Sequence, residues 1–327
     1  MRAYLRDLGA APEHVQRIVR LWVQGRSQYS GQRPLDTVLP ARVCAALPAL
    51  VTQLAALVQV HSEHAGQDGS VRLLLRLQDG QTIESVWLPR EGVCVSSQVG
   101  CAVGCVFCMT GREGLVRHVG SAELVAQVVL ARQRRPTRKV VFMGMGEPAH
   151  NLDNVLEAIQ LLGTLGGFAH KNLVFSTVGD PRVFERLPLG PVKPALALSL
   201  HTTRADLRER LLPKAPRLGP EELVALAERY ARATGYPIQY QWTLLEGIND
   251  TEQEVAGIVR LLRGKRALMN LIPYNSVPGL PYGRPARERA LEMARALHAQ
   301  GIVTALRDSA GQDVDGGCGQ LRARALG

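Results

Sequence analysis

No stretch of the sequence approaches the roughly 20 apolar residues that a membrane-spanning helix needs. The opening, MRAYLRDLGAAPEH, lacks the apolar centre of a secretory signal, so a cytoplasmic protein with reduced thiols and no membrane partner is expected. Cysteine is scarce, six in 327 residues, yet four of the six fall between positions 94 and 108. In a reducing compartment such crowding points to metal binding or catalysis rather than to a disulfide framework. Aromatic residues make up only 5%, and no RNP-type aromatic motif is present to stack bases on a sheet. No Gly-x-Gly-x-x-Gly opens a helix, which argues against a dinucleotide fold.

What the chain does have is positive charge. Its formal net charge is +10, nearly all of the positive side arginine. A polyanion suits such a surface, because Arg makes bidentate phosphate contacts. RNA would meet stretches such as ARQRRPTRK (131–139) and the segment carrying Arg17, Arg20 and Arg26. The competing reading is a solvated basic surface.

Residues 12–60 read as helical. In PEHVQRIVRLWVQG, Val15, Ile18, Val19 and Trp22 recur at helical spacing after Pro12, and PALVTQLAALVQV continues in the same style. Cys44 lies in this apolar zone and reads as an inert thiol. VRLLLRLQDGQTIESVWLP gives two strand-like runs around Asp79-Gly80, a hairpin signal. Beyond it, strand candidates (KVVFM, NLVFS, ALALSL, IQYQWTLL, LMNLI, IVTALR) alternate with helical patterns. That alternation predicts an α/β chain with a parallel sheet, of about six βα units, as a barrel or partial barrel. Ligand-binding residues then belong at the C-terminal ends of the strands.

Cys101, Cys105 and Cys108 form C-x₃-C-x₂-C. A zinc ribbon or finger would need a second ligand pair a dozen or so residues on, and none follows. Three thiolates on a tight loop can hold three irons of a 4Fe-4S cluster, leaving the fourth iron for a substrate or cofactor. Phe107 precedes the last cysteine, as in the radical S-adenosylmethionine (SAM) superfamily, which this loop resembles. CVSSQVGC before the loop, GMGEP at 144–148, ST at 176–177, SLH at 199–201, LIPYN at 271–275 and DVDGGCGQL at 313–321 narrow the resemblance to the RlmN/Cfr family of RNA adenosine methyltransferases.

The resemblance implies a partial (β/α)6 TIM-type barrel at 93–327, a helical accessory domain at 1–68 and a β-hairpin at 69–92. It implies two cofactors, the 4Fe-4S cluster on Cys101, Cys105 and Cys108, and SAM on Gly146, Glu147, Ser176, Ser199, Leu200, His201 and Asn275. The expected reaction is methylation of an RNA adenosine at C2, or alternatively C8, in 23S rRNA or tRNA. Neither carbon is nucleophilic, so the family methylates a cysteine first, here Cys318, and a radical on that S-methyl group adds to the base. Cys94 would then release the RNA by a transient disulfide with Cys318, and Glu84 would be the proton acceptor. A flavodoxin or ferredoxin would supply electrons to a monomer. Taken from the residues alone, Cys318 reads as a stray reduced thiol in a glycine-rich loop, and Glu84 as an ordinary hairpin glutamate. MTG after Cys108 and Gly316-Gly317 before Cys318 depart from the family's usual text. Two other readings compete: a radical SAM enzyme of another reaction class, and a zinc-stabilised RNA-binding protein.

Overall fold

The computed structural model describes residues 1–31 and 34–323. The chain begins with three helices, α1 (Arg2–Asp7), α2 (Pro12–Val23) and α3 (Ala41–Ala56). The stripe expected on α2 is its buried face: Val15, Ile18, Val19 and Trp22 are all in the core. α3 stops earlier than its apolar text suggests. VQVHSEHA is a strand, β1 (Val58–Ala65), with alternating burial. The two-residue period of that segment was hidden behind the preceding helical run, and pairing with the next strand decides the outcome.

β2 (Val71–Leu77) and β3 (Thr82–Leu88) form the hairpin around Asp79-Gly80, and β3 pairs antiparallel with the short β4 (Gly92–Cys94). β5 (Gln98–Gly100) and β6 (Leu115–His118) make a separate two-stranded sheet. The remaining strands are β7 (Lys139–Phe142), β8 (Leu173–Thr177), β9 (Ala195–Ser199), β10 (Ile238–Leu244), β11 (Ala267–Pro273) and β12 (Thr304–Leu306). Helices α4 (Ser121–Arg134), α5 (Leu152–Thr164), α6 (Pro181–Arg186), α7 (Ala205–Leu211), α8 (Pro220–Thr234), α9 (Glu252–Leu262) and α10 (Arg287–Ala299) lie between them.

The main sheet runs β1-β2-β3-β4-β7-β8-β9-β10-β11-β12, and every pairing from β4 onward is parallel. Each parallel strand therefore ends at the same edge. The run holds one more strand than six units predict, because three-residue β4 is too short to show a pattern. It does not close, since β4 passes on to β3 and, among the described residues, β12 has only β11 as a neighbour. It does curl: one cavity takes wall residues both from Gly92 and Lys139 at the β4–β7 end and from Arg307 and Ser309 beyond β12. The result is the expected partial barrel. No described helix is long and apolar enough to cross a membrane.

Past β12 the chain straps back over the opening. Asp68 accepts from the Gly311 N–H (3.0 Å), and Asp313 accepts from the Gln67 N–H (2.9 Å). Segments about 240 residues apart are thus joined where Cys318 lies.

Candidate active site

Cys101, Cys105 and Cys108 sit on the loop between β5 and β6. The loop is folded tightly on itself: the Cys101 N–H donates to the Gly114 carbonyl (2.9 Å) and the Cys108 N–H to that of Cys105 (3.0 Å). The Val106 N–H donates to the Leu211 carbonyl (3.1 Å), tying the loop to α7. Burial pushes all three thiols up, Cys101 to about 12 and Cys105 well above the ordinary range. As thiolates they would need positive charge beside them, which bound iron supplies.

The donor set fits a cluster better than a single ion. Among the described residues no three His, Cys, Asp or Glu side chains converge as the ligands of one metal ion would. A cluster takes one thiolate per iron and asks for wider spacing than tetrahedral zinc. His118, the nearest imidazole in sequence, is turned to the Gln98 amide (3.1 Å).

Arg208, which no sequence motif singles out, lies buried beneath this loop. Its Nη1 donates to the carbonyls of Ser199 (3.0 Å) and Leu200 (2.8 Å), and its Nη2 to that of Val178. Its Nε has no partner among the described residues. Burial lowers its pKa to about 10, while the charges of Cys105 and Glu147 act the other way. It remains a cation at neutral pH, placed to offset thiolate charge. Only its place on short α7 identifies it.

The three cysteines share a cleft with the C-terminal ends of β7, β8 and β9. Gly146, Glu147, Ser176, Ser199 and His201 all line it. Neither serine hydroxyl has a protein hydrogen-bond partner among the described residues, so both are available to a ligand. Glu147 Oε1 accepts from the Ala149 N–H (3.1 Å) and Oε2 from the Val178 N–H (3.0 Å), linking the loops after β7 and β8. Burial raises its carboxyl to about 7.

His201 holds a left-handed backbone (φ 61) and accepts the Thr243 N–H on Nδ1 (3.0 Å), which leaves the hydrogen on Nε2. Burial and the Arg208 charge lower it to about 3, so it is neutral. Its ring meets Phe107 edge to face at 5.0 Å, bracing the cluster loop.

Gly144 and Gly146 read in the sequence as places for a ligand to approach the backbone. Their nearer reason is the protein itself. A Cβ on Gly144 would stand 2.6 Å from Ser96 Oγ, and one on Gly146 (φ +100) 2.6 Å from Gln98 Cβ.

Two of the expected SAM contacts are not on the cleft wall. Leu200 is fully buried, its N–H donating to the Gln241 carbonyl (3.1 Å) and its own carbonyl taken by Arg208. Asn275 Nδ2 donates instead to Ser309 Oγ (3.0 Å) and the Cys318 carbonyl (2.9 Å), so it holds the loop that carries Cys318.

That loop is stitched to the cluster loop. The Met109 N–H donates to the Gly319 carbonyl (2.8 Å) and Thr110 Oγ1 to that of Leu321 (2.6 Å). Cys318 thereby lines two neighbouring spaces, the cysteine cleft and a cavity of ≈ 530 Å³ inside the barrel. Cys94, the last residue of β4, lines the second. The two sulfurs are close enough that the Cys318 charge helps burial push Cys94 up to about 12. Both are free thiols, and no disulfide joins them. Crowding around Cys318 raises it too, with the Ser309 hydroxyl acting in the opposite direction.

Glu84 lines neither space. Arg72 Nη1 donates to its Oε1 (2.7 Å), and the N–H groups of Arg322 (2.7 Å) and Ala323 (3.2 Å) donate to its Oε2.

The arginines of 131–139 are largely engaged within the protein. Arg132 stacks on Phe168 at 3.8 Å, Arg134 pairs with Glu63, Arg135 donates to the Leu88 carbonyl (3.2 Å), and Arg138 pairs with Glu91 (2.8 Å). Arg17 donates to the Ser30 carbonyl (3.2 Å). Arg134 and Arg135 thus tie the end of α4 to β1 and β3, which a charge count does not reveal.

Residues 95–261 match the radical SAM superfamily. A protein of Leptothrix cholodnii named "Probable RNA methyltransferase" is 69% identical over 326 residues, covering 100% of this chain and 94% of its own length. One of the same name from Thiobacillus denitrificans is 68% identical over 326 residues, covering 100% of this chain and 90% of its own. The crystal structure of a radical SAM methyltransferase from Sphaerobacter thermophilus superposes with a TM-score of 0.86 at 36% identity, covering 99% of this chain and 96% of that one. At 14% identity and a TM-score of 0.53, Streptococcus suis SuiB bound to S-adenosylmethionine shares the fold over 69% of this chain and 52% of its own.

Proposed function

The chain belongs to the RlmN/Cfr family of radical SAM RNA methyltransferases, and from that premise we propose that it methylates an adenosine of 23S rRNA or tRNA at C2 through Cys318, C8 being the alternative carbon. The observation that carries this reading is the position of Cys318 between two spaces, one shared with the three cysteines and one shared with Cys94. A cysteine so placed can meet a methyl donor on one side and an RNA base on the other.

Cys101, Cys105 and Cys108 hold the 4Fe-4S cluster. Gly146, Glu147, Ser176, Ser199 and His201 hold SAM directly, while Leu200 and Asn275 keep the neighbouring backbone in place. When bound, these cofactors supply the methyl group and the hydrogen-abstracting radical. Cys318 sulfur takes up the methyl group. After losing one hydrogen atom, the S-methyl carbon bonds to the base, which gives up its ring hydrogen as a proton and one electron that the cluster would take back, leaving RNA attached to Cys318. The Cys94 thiolate then attacks the Cys318 sulfur; the carbon–sulfur bond breaks with its electron pair on carbon, which takes a proton to complete the methyl group, and a thiol reductant reopens the disulfide left behind.

Glu84 as proton acceptor requires Oε2 to be released by Arg322 and Ala323, so that role is tied to movement of the strap. Electrons come from a flavodoxin or ferredoxin, and the enzyme works as a cytoplasmic monomer.

Mass spectrometry of RNA from a strain lacking this gene tests the reading. One adenosine should lose a methyl group, at C2 or C8, that the restored gene returns. An unchanged set of methyladenosines would refute it.

A further inference from the structure

The ≈ 530 Å³ cavity beneath the strap is of the size that ordinarily encloses a small organic ligand. Its wall chemistry is uneven. Asn270, in the middle of β11, is 1% exposed, lines the cavity, and has no side-chain hydrogen bond to the protein among the described residues. Its buried Oδ1 is without a partner. Whichever way the amide is turned, one donor and one acceptor face the cavity unpaired. Gln241 pairs in register with Asn270 on the adjacent β10 and lines the same wall. A buried amide left idle is unusual, and a ligand that pairs with it is the simplest reason for it.

Three cations line the same cavity nearer the surface: Arg90, Lys139 and Arg307. None has an ion-pair partner among the described residues. Lys139 and Arg307 lie near enough that the Arg307 charge adds to burial in lowering the lysine. Asp308, the carboxylate on this wall, is already paired with Arg284 (2.7 Å) and Arg287 (3.5 Å). The cavity therefore offers uncharged amides within, unpaired cations at its margin, and the thiols of Cys94 and Cys318 on its wall. That is the polarity of a nucleotide, with a base at one end and a phosphate at the other.

Resting on the RNA-methylation reading above, we propose that this cavity receives the flipped nucleotide, with Asn270 pairing with the adenine edge and Lys139 and Arg307 taking its phosphate. An amide is the natural bidentate partner of adenine, one atom accepting from the N6 amino group and the other donating to a ring nitrogen. Flipping is required because a base held in a stack cannot enter a cavity inside the barrel. Asn270 is thus a specificity residue, separate from the cysteines that perform the chemistry.

The test uses reconstituted holoenzyme, saturating labelled SAM, and total RNA from a strain lacking this gene. Adenosine 5′-monophosphate and purine riboside 5′-monophosphate, which lacks the amino group, compete against methyl transfer. Against the wild type, the adenosine nucleotide should compete about tenfold better. Asn270→Leu should erase that preference and lower kcat/KM for RNA by about 10- to 100-fold. Cluster absorbance and RNA-independent 5′-deoxyadenosine formation should stay unchanged. Lys139→Gln with Arg307→Gln should weaken competition by the nucleotide but not by adenosine. Equal competition by the two nucleotides against the wild type overturns the proposal without needing any variant, as does a preference that survives in Asn270→Leu. If the wild type transfers no methyl group to RNA adenosine, the functional reading itself falls and this proposal falls with it.

Discussion

Arg72 Nη1 stands 2.7 Å from Glu84 Oε1, and neither side chain is exposed at all. The other carboxylate oxygen holds the backbone of Arg322 and Ala323, so one buried ion pair anchors the strap that bears Cys318. Removing one partner leaves a buried charge uncompensated. Glu84→Ala should therefore lower the unfolding free energy by about 3–5 kcal/mol, read from denaturant melts. Glu84→Gln keeps one acceptor oxygen but leaves Arg72 without its counter-charge, so turnover is compared per folded, cluster-loaded enzyme to separate two roles. If the carboxylate only anchors, this variant turns over normally. If it also accepts the proton, covalent protein–RNA species accumulate on denaturing gels.

Cys318→Ala should abolish RNA methylation while leaving the cluster spectrum and SAM cleavage intact, because the hydrogen bonds holding its loop run through backbone atoms. Methylated RNA from this variant, detected by label from SAM, would show that methyl transfer bypasses the cysteine.

Cys94→Ala should trap the RNA adduct on Cys318. The wild-type thiol is raised chiefly by burial, which persists when Cys318 is an uncharged thioether, so it is protonated near neutrality. Its thiolate fraction grows tenfold per pH unit while it remains mostly protonated. Adduct decay in a single-turnover experiment should therefore quicken by about tenfold per unit between pH 7 and 9. A flat profile would mean that a neighbouring base takes the proton before attack.

Anaerobic reconstitution should give a brown protein with about four irons per chain, and loss of Cys101, Cys105 or Cys108 should bleach it. One tightly held zinc and no colour would instead support a zinc-stabilised RNA-binding protein. Arg208→Met takes a buried cation from beneath the loop, so the cluster should become harder to reduce. A redox titration followed by electron paramagnetic resonance reads that negative shift.

The parallel sheet was legible because its strands are apolar runs set between amphipathic helices, and strand ends located Glu147, Ser176, Ser199 and His201 correctly around one cleft. β1 was not legible, since its alternation follows a helix of similar composition and its partner strand decides its state. Short β4 escaped for want of length, although it carries Cys94. Arg208 and Asn270 were missed for a different reason. A single arginine on a short helix, or one asparagine in an apolar strand, has no sequence signature; Arg208 is marked by burial against the backbone under the cysteine loop, and Asn270 by burial without a partner. For the arginine-rich stretch, composition left RNA contact and a solvated surface both open, because it cannot tell a paired charge from a free one.

The strap also bears on how the molecule assembles. Its bonds from Gly311 to Asp68 and from Arg322 to Glu84 close separations of 243 and 238 residues. Contacts this remote form slowly, because the entropy of closing so long a loop is lost before any of them can compensate. The cysteine loop, apart from its bonds to the strap, is held by neighbours within about a dozen positions and by α7, on the order of a hundred residues on. A folding chain can thus bring its three metal-binding thiols together well before Cys318 arrives above them. That order leaves an interval in which iron can be loaded from the side the strap will later cover, and it delays the reactive sulfur until the rest of the sheet is complete.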